Sequence, residues 1–132
     1  MNENSVSSIG VNLEIKNSII IRCKLKRHLS PKTVGKIIRA LPIQGNAHFF
    51  GKNVVYFETS IESGIERGKK EFKKGDIAFL PVGKLICFFQ SDVKIGKEMT
   101  SIGKIIDSVD DLSYVTSGSE LKLYCETGAL MW

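Results

Sequence analysis

The side chains that most often do chemistry are sparse in this sequence and poorly spaced for cooperation. His28 and His48 are its two histidines, and neither has a cysteine or carboxylate at metal-ligand spacing. The three cysteines, Cys23, Cys87 and Cys125, are an odd and widely spaced set, which is neither a disulfide framework nor a zinc site. Each sits among alternating apolar residues, as a small core side chain would in a reducing compartment. Serines are common, but none lies in the Gly-x-Ser-x-Gly turn that lifts a nucleophile clear of a sheet. The glycines, including those from Gly64 to Gly75, spell neither Gly-x-Gly-x-x-Gly nor a phosphate-cradling loop. No metal and no cofactor is expected.

Charge is the other resource. The net charge is +5. Between Glu14 and Glu58 there is no acidic residue, while Lys16, Arg22, Lys24, Lys26, Arg27, Lys32, Lys36, Arg39 and Lys52 all fall there. Arg67, Lys69, Lys70, Lys73 and Lys74 form a second basic cluster, and Asp107, Asp110, Asp111, Glu120 and Glu126 make the end more acidic. Such asymmetry can attract nucleic acid or an acidic partner. Basic and aromatic residues interleave only from His48 to Lys52, so nucleic acid ranks last among the partners considered. The simpler reading is that the lysines are solvated faces of strands and a helix.

The elements that must position these residues are mostly strands. A chain of 132 residues favours one domain with one core. Residues 1–10 are polar and small and read as a flexible end, 11–127 as the domain, and 128–132 as an apolar tail ending Ala129-Leu130-Met131-Trp132. No apolar run is long enough to cross a bilayer, no secretion signal opens the chain, and the cytoplasm is the expected compartment.

Val11, Leu13 and Ile15, then Ile19, Ile21, Cys23 and Leu25, alternate with polar residues and predict a hairpin turning at Asn17-Ser18. Ser30-Pro31 opens a helix that Ser30 caps, with Val34, Ile37, Ile38 and Leu41 as its apolar stripe and Pro42 as its stop. Strands follow near 44–50 and 53–58 around a Gly51-Lys52 turn. Residues 62–75 read as a long exposed loop and 91–99 as another. Between them, Ile77–Leu80 and Leu85–Phe89 are strands about a Pro81-Val82-Gly83-Lys84 turn, the second apolar on both faces and expected to be the most buried. A strand at 101–106, a short helix capped by Ser108 and ending near Gly118, and a strand from Leu121 complete the chain. About eight short strands and two helices suit a mainly β fold, an eight-stranded closed barrel whose helices cover its ends.

Three segments resemble the cyclophilin fold, and more closely a family of short prokaryotic cyclophilin-like proteins of uncertain function. The first is Gly75-Asp76-Ile77-Ala78-Phe79-Leu80-Pro81-Val82-Gly83-Lys84-Leu85-Ile86-Cys87-Phe88-Phe89, a Gly-Asp, strand, Pro-x-Gly turn and Cys-x-Phe-Phe in series. The second is Ile102-Gly103-Lys104-Ile105 with the acidic helix at 109–115 after it, and the third is the helix from Lys32-Thr33 to Arg39-Ala40-Leu41. In consistent order they span about residues 11–126.

The resemblance implies a closed barrel with a peptide-binding face. Cyclophilins that isomerise prolyl bonds polarise the amide nitrogen with one arginine. Laying their Phe-His-Arg strand on Ala47-His48-Phe49-Phe50 puts Phe50 at that arginine. Tyr56 and Glu58 then fall on the methionine and glutamine of the pocket, and Cys87-Phe88-Phe89 on its Gln-Phe-Phe, so that Phe89 keeps the pocket phenylalanine. Met99 falls on the pocket histidine. Phe50, Tyr56, Glu58, Cys87, Phe89 and Met99 are thus the candidate ligand-binding residues, an apolar set with one phenol and one carboxylate. The alternative is that the aromatics only fill the barrel and Glu58 faces water. Three functions stay open: a binding domain for a peptide or small molecule with a degenerate isomerase site, an isomerase that uses a substitute cation such as Arg22, Arg39 or Lys52, and, ranked last, a basic nucleic-acid-binding protein. No catalytic residue is assigned.

Overall fold

The computed structural model describes residues 8–126. Its elements are β1 (Ser8–Ile15), β2 (Ile19–Lys26), α1 (Pro31–Ala40), β3 (Ile43–Asn46), β4 (His48–Phe50), β5 (Val54–Glu58), β6 (Lys69–Phe72), β7 (Asp76–Leu80), β8 (Leu85–Phe89), β9 (Val93–Ile105), a 3-10 helix (Val109–Tyr114) and β10 (Glu120–Cys125). Residues 1–7 of the expected flexible end and the apolar tail at 128–132 lie outside the described residues.

β1 and β2 show how alternation becomes a core. Their register sets Val11 opposite Cys23 and Leu13 opposite Ile21, and these side chains are at most 1% exposed. Lys16 and Asn17 both adopt positive φ, 53° and 62°, and the Ser18 N–H closes the turn on the Ile15 carbonyl at 3.0 Å. Two left-handed central residues match the right-handed twist of the flanking strands. The turn therefore lies one residue earlier than Asn17-Ser18. β1 also starts at Ser8, so Ser8–Gly10 pair with Leu25, Lys26 and Lys24 as strand.

The strands form one sheet in the order β3-β10-β1-β2-β9-β7-β8-β5-β4, with β6 added beside β9. Among the described residues ten strands stand where about eight were expected, and no hydrogen-bonded ladder closes the sheet into a barrel. The two ends of the order, β3 and β4, are instead consecutive in the chain and joined by Ala47. One extended segment, 43–50, pairs with β10 through its first half and with β5 through its second. At the junction the Ala47 N–H donates to the Ser119 carbonyl, and its carbonyl accepts from Gly118, each at 2.8 Å. The sheet thus rolls round on itself, and covalent continuity stands where the last ladder would be.

The rolled sheet encloses the larger of two apolar clusters. Val55, Phe57, Ile77, Phe79, Ile86 and Phe88 from one half meet Leu13, Ile15, Ile21, Leu25, Leu121 and Leu123 from the other, with Val34 and Ile37 of α1 over one end. Burying each such side chain stabilises by roughly 1.5–3 kcal/mol. β7 is buried at all five positions, so it, and not β8, is the innermost strand.

Neither helix is capped by its own serine. Ser30 makes no side-chain bond to the helix backbone; its hydroxyl donates to the Ser101 carbonyl at 2.8 Å and ties α1 to β9. The open N–H groups of Lys32 and Thr33 donate to the Glu66 carboxylate at 3.2 and 2.6 Å. A carboxylate there satisfies orphan donors and faces the positive end of the helix. Burial raises the acid's pKa, but the hydrogen bonds from Thr33 and Lys32 outweigh it and hold Glu66 below its ordinary value. Ser108 likewise makes no side-chain cap, and the 3-10 helix ends at Tyr114 rather than near Gly118.

The two expected loops hold strand. Lys69–Phe72 is β6, and residues 93–99 are the first half of the thirteen-residue β9. Phe72 is 2% exposed and anchors β6, while Val93 and Ile95 are half-buried against the same apolar cluster. No helix of the described residues is long and apolar enough to cross a membrane.

Candidate functional site

In a paired sheet, residues directly opposite one another share a face. The register β4:β5:β8:β7 therefore places Phe50 with Val54 and Phe89, Tyr56 with Cys87 and Ala78, and Glu58 with Leu85 and Leu80. The residues that alternate with them, Val55 and Phe57 on β5 and Ile86 and Phe88 on β8, point into the rolled core. The first set faces outward, and Met99 of β9 joins it in a second apolar cluster with Val54, Phe72, Ala78, Leu80, Cys87 and Phe89. All six sequence-derived candidates thus come to one outer face of the sheet.

They differ in accessibility. Phe89 and Cys87 are fully buried and Met99 is 1% exposed. The cause is Phe72, whose ring stacks on Phe89 with centroids 4.6 Å apart and planes 16° from parallel. Sequence reading missed Phe72 because it stands alone among lysines in a stretch without period. Burial also raises the Cys87 thiol to about 12, so it is a neutral packing group rather than a nucleophile at neutral pH.

The accessible part of the face lies over β4 and β5. Phe50 is 37% exposed and stacks on half-buried Tyr56, with centroids 4.2 Å apart and planes at 25°. His48 stacks on the same ring at 5.5 Å and 29°. His48 is thus paired directly with Tyr56, and Phe50 lies two residues along β4, diagonal to the same ring. Exposed Glu58 lies next along β5 and makes no ion pair among the described residues.

The three cations considered as substitutes are set on other elements. Arg22 on β2 is held by the Asp107 carboxylate, Nη2 to Oδ1 at 2.9 Å and Nε to Oδ1 at 3.1 Å. Arg39 is in the last turn of α1, and Lys52 is in the exposed β4–β5 turn. Lys69 Nζ does reach the cluster, 5.1 Å from the centroid of the Phe72 ring. Among the described residues, no three His, Cys, Asp or Glu side chains gather as a metal site.

Comparison with known proteins follows the geometry. The family model described as Cyclophilin-like matches residues 9–124. No curated protein matches. The solution structure of the hypothetical protein AF2241 from Archaeoglobus fulgidus superposes with a TM-score of 0.73 at 28% identity, over 91% of this chain and 96% of that one. The structure of McbB in complex with tryptophan superposes with a TM-score of 0.74 at 10% identity, over 92% of this chain and 46% of that one, a likeness of fold alone.

Proposed function

This chain belongs to the cyclophilin-like family, and from that premise we propose that it is a binding protein which holds a short peptide or small apolar ligand against the Phe50–Tyr56 face without isomerising it. The observation that carries the reading is the exposed ring stack at position 50, where the resemblance sets the arginine of isomerases. Rotation about a prolyl peptide bond faces a barrier of ~20 kcal/mol. Lowering it requires a fixed donor aimed at the nitrogen lone pair of the twisted amide. A phenyl ring has no such donor, but it offers a flat apolar surface. Offset stacking on such rings stabilises an aromatic or prolyl partner by roughly 0.5–1.5 kcal/mol beyond the area buried.

The test is an NMR titration with tryptophan and with a short proline-containing peptide, run beside a proline-isomerisation assay. Shifts should concentrate at residues 48–58, and Phe50→Ala should abolish them while the variant stays folded. The isomerisation rate should equal that of buffer. Acceleration that survives Phe50→Ala would instead favour an isomerase using a substitute cation. Shifts unaffected by Phe50→Ala would remove this face from consideration.

A further inference from the structure

β6 is paired on one side only, with β9, so its other row of backbone N–H and C=O groups has no strand partner among the described residues. Beside it opens a depression of about 780 Å³, rimmed by Lys69, Lys70, Lys73 and Lys94 and lined by Phe72 and Val93. Lys69, Lys70 and Lys73 form no ion pair among the described residues. Lys94 meets Glu71 at 3.4 Å, but their side chains are 78% and 73% exposed, and such surface pairs yield readily to a better partner. The Asp92 carboxylate accepts the Lys74 backbone N–H and is already engaged.

We infer that the open edge of β6 is a docking site for an extended acidic peptide segment, which adds as a strand beside Lys69–Phe72 and sets its carboxylates against Lys69, Lys70 and Lys73. Lysines on an edge ordinarily keep two sheets from joining. Here they repel a second copy of the same strand, and the same charge admits a strand of opposite sign. The unpaired backbone row selects a polypeptide over a nucleic acid, because only a polypeptide returns N–H and C=O groups at strand spacing. Half-buried Val93 supplies apolar surface beside the lysines for a side chain of the guest.

The probe is a fluorescent hexapeptide of alternating Glu and Thr, followed by anisotropy. Its controls are an alternating Glu–Pro peptide, which has equal charge but cannot build the ladder, and a thymidylate oligomer of equal charge. Wild-type protein should bind Glu–Thr at least about fivefold more tightly than either control, and the binding should weaken as salt screens the lysines. The triple variant Lys69→Glu, Lys70→Glu, Lys73→Glu should lose at least about tenfold in affinity. Amides of β6 should gain protection from exchange when the peptide is present, a readout on wild-type protein that stands even if the variant folds poorly. Phe50→Ala should bind the peptide as wild type does, which separates this site from the ring stack. Equal binding of Glu–Pro or thymidylate would reduce the site to plain polyanion attraction and overturn the inference, as would no binding at low salt.

Discussion

Gly103 lies in the Ile-Gly-Lys-Ile segment that carries part of the family resemblance, and its reason for being glycine is steric. It is paired with Leu25 where β2 and β9 cross, and a Cβ there would overlap the Lys24 backbone carbonyl. Near the end of the same strand pair, Arg22 and Asp107 form the ion pair with the most hydrogen bonds among the described residues. The Arg22 guanidinium donates to Asp107 through Nε and Nη2, and the Arg22 backbone N–H donates as well, at 2.8 Å. These hydrogen bonds hold the Asp107 carboxyl below its usual value. A depressed acid stabilises the fold above its unfolded pKa, about 3.9, and loses that contribution as the pH falls through the lower folded value. Asp107→Asn should therefore be less stable than wild type near neutrality, with the gap closing in strong acid. Thermal melts from neutral pH down to pH 2 check this, and a gap that does not depend on pH would refute it. The side chains are 58% and 27% exposed, so the gap should be small and should shrink with salt.

The β6–β9 arm is the element that most changes the reading of the face. Phe72 is the only buried residue of β6, and the register with β9 slips between Lys69 and Glu71. An arm fastened by one ring opens more easily than the strands around it. Phe72→Ala should then cost less than the ~3–5 kcal/mol typical of Phe→Ala in a core. Its amides should exchange faster at β6 while the amides of β1 and β2 stay protected. A full loss of global stability with uniform exchange would show that the arm folds as one unit with the domain. The same element marks where sequence reading stops. Period-two alternation located β1, β2 and β10 because one face of each is apolar and the other polar, whereas the Gly51-Lys52 turn before it marks β5. β6 offers a single apolar residue in four, and in β9 Gly96-Lys97-Glu98 interrupts the pattern between Ile95 and Met99. Neither signal rises above that of a loop. The Glu66 cap was hidden for another reason: it reaches α1 from more than thirty residues away, whereas Ser30 beside Pro31 gives a strong local cue. The six candidate residues were found through family resemblance, and alternation then explains why they share a face. Phe72, which roofs half of them, has no counterpart in that pattern.

For the whole molecule, charge and topology act together. The acid-free stretch from 15 to 57 is spread over β2, α1 and the β3–β5 segment, and among the described residues Arg22 is its one cation in an ion pair. Arg22 meets Asp107, Lys36 Nζ reaches the Glu62 carbonyl at 2.7 Å, and Arg67 of the second cluster reaches the His28 carbonyl at 2.9 Å. The lysines of β6 stand on a strand paired on one side only, and Lys69 and Lys70 form no ion pair among the described residues.

Ala47 acts like the clasp of a belt. Because segment 43–50 serves as both first and last strand of the order, fraying cannot begin at one margin of the sheet while the other holds. Breaking the chain at this alanine, by a circular permutation that joins the native ends and opens new ones there, should unfasten β10 and β5 together. Opening it instead at Gly83, in the exposed β7–β8 turn, should leave the girdle shut and the melting temperature close to that of the parent.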